Sequence, residues 1–235
     1  MSGMAYGNAV GRRVDIVMCI DGTGSMAGCI DNVKTNIIRL YETINADLEK
    51  GGNSVVEILR IKFITFRDYK SDGEQSMVMS RFFELPNEKA EVSAYLAGIK
   101  AKGGCGEDAN GLEAFYLAMK SDFVATGAKD RQIIVIFADT PPIPALKRSN
   151  YSFYPKGMPD ANGLLDMWTC GQEYGTSLSY RGRRLILFAP ENSEYKDMGD
   201  QYDNCMFIPV EIHNGLSDVS FDTIAHTISS SISSR

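Results

Sequence analysis

Histidine and tryptophan are scarce in this 235-residue chain, with two of the first and one of the second. His213 and His226 have no cysteine or acidic residue at ligand spacing, which excludes a zinc site of the usual kind. Five cysteines (Cys19, Cys29, Cys105, Cys170 and Cys205) are scattered and odd in number, without any CxxC. They read as reduced thiols and predict a cytoplasmic protein. No run of about 18 apolar residues occurs, so no membrane span is predicted. The start, MSGMAYGNAVGRR, is polar and Gly-rich and lacks the charged-then-apolar build of a secretory signal. Basic residues are outnumbered, 24 against 30 acidic, for a net charge of −6. That balance argues against nucleic acid as a partner, because phosphate binding wants a basic face. Internal repeats and low-complexity linkers are also missing.

What remains is ordinary for a globular chain: 44% apolar and 23% charged residues, enough length for one sizeable core. A flexible segment over 1–13 and a single α/β domain over 14–235 are expected. Val14 to Ile20 is an apolar run broken only by Asp15 and Cys19, and a Gly cluster ends it. Such a run reads as a strand buried on both faces. Ile30, Val33, Ile37, Tyr41, Ile44 and Leu48 then recur three or four apart, a helix of about six turns stopped at Gly51-Gly52. Further strands are predicted over 55–66, 77–85, 131–138, 184–189 and 205–210, the 77–85 strand being antiparallel and at an edge. Helices are expected around 92–99, 112–119, 164–168 and 221–232. The Pro-rich stretch 141–159 is a long loop, and loops of that length are usually functional or mobile. Strands alternating with helices imply right-handed crossovers and a mostly parallel sheet, with ligands at the carboxyl ends of its strands.

The chemistry concentrates after the first strand, in Asp21-Gly22-Thr23-Gly24-Ser25. Three oxygen side chains at i, i+2 and i+4 on one tight loop can converge on a point, and hard oxygen donors suit Mg²⁺. The alternative is a capped helix start, but capping needs one such residue and three are present. D-x-T-x-S at the end of a first apolar strand resembles the opening motif of von Willebrand factor type A domains, where it begins a metal-ion-dependent adhesion site. ITFRDY over 64–69, the Gly-rich 103–106 and a strand ending in Asp139 extend the resemblance over most of the chain. It is strongest to stand-alone bacterial type A proteins and to the type A domains of alpha-kinases. The resemblance implies a three-layer, Rossmann-like α/β fold, a mostly parallel central sheet with one antiparallel edge strand and helices on both faces. It also implies that the Thr23 and Ser25 hydroxyls contact a metal directly, and that Asp21 and Asp139 act through water. The family places Thr or Asp where this sequence has Gly106, so Asp108, ahead of Glu107, is the expected second-loop ligand; capping of the next helix is its other role. For Asp139 the alternative is a turn before Pro141. Arg67 and Asp68 are expected to form a surface ion pair.

The expected function is divalent-cation-dependent protein binding without catalysis. Mg²⁺ (with Mn²⁺ or Ca²⁺ as alternatives) would be held by Asp21, Thr23, Ser25, Asp108 and Asp139, and a partner's acidic residue would complete its shell. The resemblance points to a kinase or phosphatase of one signalling or stress pathway as that partner. A scaffold with a degenerate site is the second possibility. A Mg²⁺-dependent phosphoryl-transfer or hydrolase enzyme using Asp21 is the third, although no catalytic Lys, His or second Asp stands in these loops. Gly22-x-Gly24-x-x-x-Gly28 makes a poor dinucleotide loop, since Asp21 would lie beside the pyrophosphate and no acid ends the second strand.

Overall fold

The computed structural model describes residues 11–103, 108–125, 127–217 and 219–234. Seven strands form one sheet: β1 (Arg12–Asp21), β2 (Val56–Phe66), β3 (Met77–Met79), β4 (Phe83–Leu85), β5 (Arg131–Phe137), β6 (Arg183–Pro190) and β7 (Cys205–Val210). Their order is β3-β2-β1-β5-β6-β7, with β4 also on β2. β1, β2, β5, β6 and β7 run parallel, and β3 and β4 pair antiparallel with β2.

Alternation along the strands sends side chains to two separate cores. Ile16, Met18 and Ile20 of β1, with Ile133, Val135 and Phe137 of β5, face α1 (Ala27–Asn36), α2 (Leu40–Lys50), α4 (Lys89–Gly98) and α8 (Phe221–Ser233). Val17 and Cys19, with Ile134 and Ile136, face α5 (Gly111–Met119), α6 (Ala161–Thr169) and α7 (Glu194–Gln201). Strands buried on both faces explain their near-continuous apolar sequence. The result is a three-layer α/β fold of the Rossmann-like kind. No helix among the described residues is long and apolar enough to cross a membrane.

Several elements differ from expectation, three of them with a clear physical reason. The first long helix is broken by a 3₁₀ turn at Ile37–Arg39. Just before it, Thr35 Oγ1 and Asn36 Nδ2 donate back to the carbonyls of Asp31 and Asn32 (2.8 and 3.0 Å); such local bonds compete with the helical ladder and bend it. The edge strand over 77–85 is two strands. Met79 lies opposite Ile64 and Phe83 opposite Ile61, four steps against three, so one extra residue is bulged out. There the Ser80 hydroxyl accepts the Phe63 N–H at 2.9 Å in place of a carbonyl. Helix α7 was not foreseen, because EYKDMGDQ is short and mostly polar; it buries Tyr195 and Met198.

Asp15 shows how an acid is tolerated inside β1. It accepts two guanidinium bonds from Arg60 (2.8 and 2.7 Å) and the N–H groups of Val124 and Ala125 (2.7 and 3.0 Å). Asp15→Ala leaves both amides without acceptors, and chemical denaturation should show a loss of about 3 kcal/mol. The low end of the range for a broken buried pair applies because Arg60 keeps some water and lies over the Phe82 ring.

Candidate functional site

Asp21 is the last residue of β1, and Asp139 follows β5 by two residues. These neighbouring parallel strands bring both to the carboxyl edge of the sheet. Chain order departs from β1 toward β2 on one side, while β5, β6 and β7 follow one another on the other. The two carboxylates therefore stand at the switch point, where ligands of such sheets bind.

Hydrogen bonds gather the loop. Asp21 Oδ1 accepts the Thr23 N–H at 2.8 Å, and Asp21 Oδ2 accepts the Thr140 hydroxyl at 3.2 Å. The Ser25 hydroxyl donates to Asp139 Oδ1 at 3.1 Å, and Thr23 Oγ1 lies 3.4 Å from Ser25 Oγ. Asp139 is held from beyond β7: its Oδ2 accepts the Gly215 N–H and its carbonyl the His213 N–H, both at 2.9 Å. Gly22 keeps the turn tight against the sheet. A Cβ there would meet Thr65 Cγ2 at 2.6 Å and the Arg67 guanidinium at 2.8 Å.

Asp21 and Asp139 are both fully buried, and neither forms an ion pair among the described residues. Burial pushes the Asp21 carboxyl up to about 6; the Thr23 and Thr140 hydrogen bonds pull it back, and the charge of Asp139 adds to the rise. The same field reaches Cys29, whose thiol is pushed up to about 12 by burial and by the charges of Asp139 and Asp21. Arg67 feels the charge of Asp21 but forms no ion pair with it, and two buried carboxylates so weakly compensated are costly unless something positive joins them. The available donors are carboxylate and hydroxyl oxygens, a set that fits a hard divalent cation. Among the described residues no group of three His, Cys, Asp or Glu is placed to hold a metal, so any ion here depends on the hydroxyls as well.

Four of the five expected site residues, Asp21, Thr23, Ser25 and Asp139, thus lie in one hydrogen-bonded cluster. Thr140 joins them unforeseen; its only signal was adjacency to Asp139. Asp108 is half-buried beside Ala109, which bridges Pro142 beyond the Asp139 loop. Its charge acts on Arg148, and among the described residues no hydrogen bond joins it to Asp21 or Asp139. It does not cap α5 either. Asn110 holds that position, and its Oδ1 accepts the Tyr69 N–H at 3.0 Å. Gly106 and Glu107 lie outside the described residues.

Arg67 and Asp68 are not a surface pair: both are buried. Arg67 donates to the carbonyls of Gly22, Lys102, Gln75 and Lys100 (2.7–3.0 Å). Asp68 caps α3 (Tyr69–Asp72) and takes both arms of Arg148 at 2.7 and 3.2 Å. Arg148 belongs to the 141–159 stretch, which also hydrogen-bonds from Tyr154 to Glu113 at 2.7 Å. This long loop is therefore pinned beside the site. Both histidines are exposed, and among the described residues neither imidazole reaches Ser25; His226 instead meets Asp47 at 3.2 Å.

No family model matches the chain, and no curated protein sequence does. Solved structures do resemble it. The pilus adhesin SpaC from Lactobacillus rhamnosus GG superposes with a TM-score of 0.55 at 11% identity over 94% of this chain, and with 0.51 at 12% in its open conformation. Proximal thread matrix protein 1 from the mussel byssus gives 0.50 at 9% identity, again over 94% of the chain. The chain spans 30% of SpaC and 47% of the thread protein. At these identities the likeness is one of fold.

Proposed function

We propose that this chain is a von Willebrand factor type A-like recognition module that holds Mg²⁺ through Asp21, Thr23, Ser25 and Asp139 and binds an acidic group of a protein partner. The observation that carries the proposal is the pair of fully buried carboxylates, free of ion pairs among the described residues and linked to hydroxyls at the sheet's switch point. When bound, the cation would supply positive charge that offsets both carboxylates and attracts an anionic ligand to an otherwise acidic protein. Thr140 would orient Asp21, and the Gly215 N–H would orient Asp139. Binding is favoured over catalysis because, among the described residues, no lysine or histidine side chain hydrogen-bonds any member of the cluster to serve as its acid or base. A signalling kinase or phosphatase as partner rests on the family resemblance alone.

Calorimetric titration with Mg²⁺ and Mn²⁺ tests the module. Wild type should bind, and Asp21→Ala should abolish binding. Asp108→Ala should weaken it if the second loop supplies that residue. The absence of both heat and thermal shift with either ion on wild type would overturn the proposal. Phosphoester turnover lost in Asp21→Asn would replace it with an enzyme.

A further inference from the structure

On the far side of Gly22 from Asp139 lies a cavity of about 300 Å³ between β2, β3 and the end of α4. Val78, Ile99 and Tyr95 give it apolar walls, and Lys100 and Lys102 stand at its rim. Thr65 and Tyr95 both line it, and each carries a buried hydroxyl with no hydrogen-bond partner. Thr65 is 1% exposed, so its hydroxyl is among the costliest kind of polar group to leave alone. Tyr95 is fixed from behind by Phe63, its ring stacked at 6.0 Å, and by Phe83 at 5.8 Å. These two rings set the position of the Tyr95 ring in the wall.

Charge narrows the ligand. Arg67, Lys100 and Lys102 line the cavity with no carboxylate among its described lining residues, in a protein of net charge −6. Asp72 acts on Arg67 from outside it. Arg67 spends its Nε–H and one N–H of each terminal nitrogen on four carbonyls, so at most two of its five N–H groups are left for a ligand. Walls of Val78, Tyr95 and Ile99 suit an apolar body bearing one negative charge, whereas a phosphate, polar on every side, would be set against apolar surface. The volume is at the lower end for small-molecule sites, enough for one or two rings.

We infer that this cavity is a binding site for a small planar organic carboxylate, its oxygens meeting the Thr65 and Tyr95 hydroxyls and its charge balanced by Lys100 and Lys102. The site is separate from the Asp21 cluster and needs no metal. Gly22 nevertheless lies between the two, against Thr65 and Arg67, and the Lys102 N–H donates to its carbonyl at 2.9 Å.

Two-dimensional amide NMR of the whole chain in chelator tests the site, with benzoate and 2-naphthoate as probes and their primary amides as uncharged controls. The acids should shift the resonances of Thr65, Val78, Tyr95, Ile99 and Lys100, and the amides should bind at least tenfold more weakly. Thr65→Val and Tyr95→Phe remove only the hydroxyls, keep the fold, and should each weaken acid binding several-fold. Lys100→Gln with Lys102→Gln should erase the preference for acid over amide. If neither acid moves those resonances, or if acids and amides bind alike, the assignment fails and the cavity holds only water.

Discussion

Asp21→Asn should melt above wild type when both are freed of metal by chelator near neutral pH. The carboxyl is fully buried and titrates at about 6 instead of its usual 3.8. A raised carboxyl pKa means the folded state holds its proton more tightly than the unfolded one. Stability is then highest below about pH 4 and falls as pH rises through about 6, after which it is level. The difference of about two pKa units corresponds to about 3 kcal/mol lost across that window. Asparagine removes the charge and keeps the hydrogen bonds, since its oxygen still accepts from Thr23 and its amide group can donate to Thr140 Oγ1. Allowing for burial of the amide, the gain at neutral pH should be about 2 kcal/mol. The same variant should lose any Mg²⁺-induced rise in melting temperature, so the two curves cross as Mg²⁺ is added. A variant less stable than wild type in chelator would show that Asp21 carries no uncompensated charge.

The parts of this arrangement that sequence could reveal are those with local causes. Buried parallel strands carry near-continuous branched apolar runs, so β1, β5 and β6 stood out, and the strand-end position of Asp21 and Asp139 followed from them. The D-x-T-x-S spacing is likewise local. What could not be read was set by partners distant in the chain. Asp68 looked like half of a surface pair with Arg67, yet its partner, Arg148, lies 80 positions away. The break in the edge strand depends on how Ser80 meets Phe63, and a run of β-formers does not encode that register. Asn110, not Asp108, takes the N-cap position of α5, and its side chain receives the Tyr69 amide from a distant segment instead of capping the helix. Asp139 is oriented by the His213 and Gly215 amides, backbone groups that carry no side-chain signature. His213 and Gly215 have φ of 59° and 58°, and only the glycine adopts that conformation without steric cost.

Arg67→Met should be among the most damaging single changes near the site, costing about 4 kcal/mol in chemical denaturation. Its guanidinium binds the carbonyls of Gly22, Gln75, Lys100 and Lys102, which come from three separate segments: the Asp21 loop, the turn before β3 and the chain after α4. Each bond is charge-assisted, and a thioether replaces none of them. Because Arg67 is 3% exposed, water does not readily take its place. Arg67→Lys should recover only a small part of the loss. An ammonium is a point charge with three donors, whereas the four carbonyls are spread around a planar fork. Hydrogen exchange should locate the damage at the Gly22, Thr23 and Lys102 amides, since Gly22 and Lys102 are the carbonyls that share Arg67 Nε. On the proposed function, Mg²⁺ affinity should fall with them, because the loop carrying Thr23 and Ser25 loses its anchor to β2. A cost below about 1 kcal/mol, or a lysine variant as stable as wild type, would mean that these segments hold one another without Arg67 and that its charge alone matters.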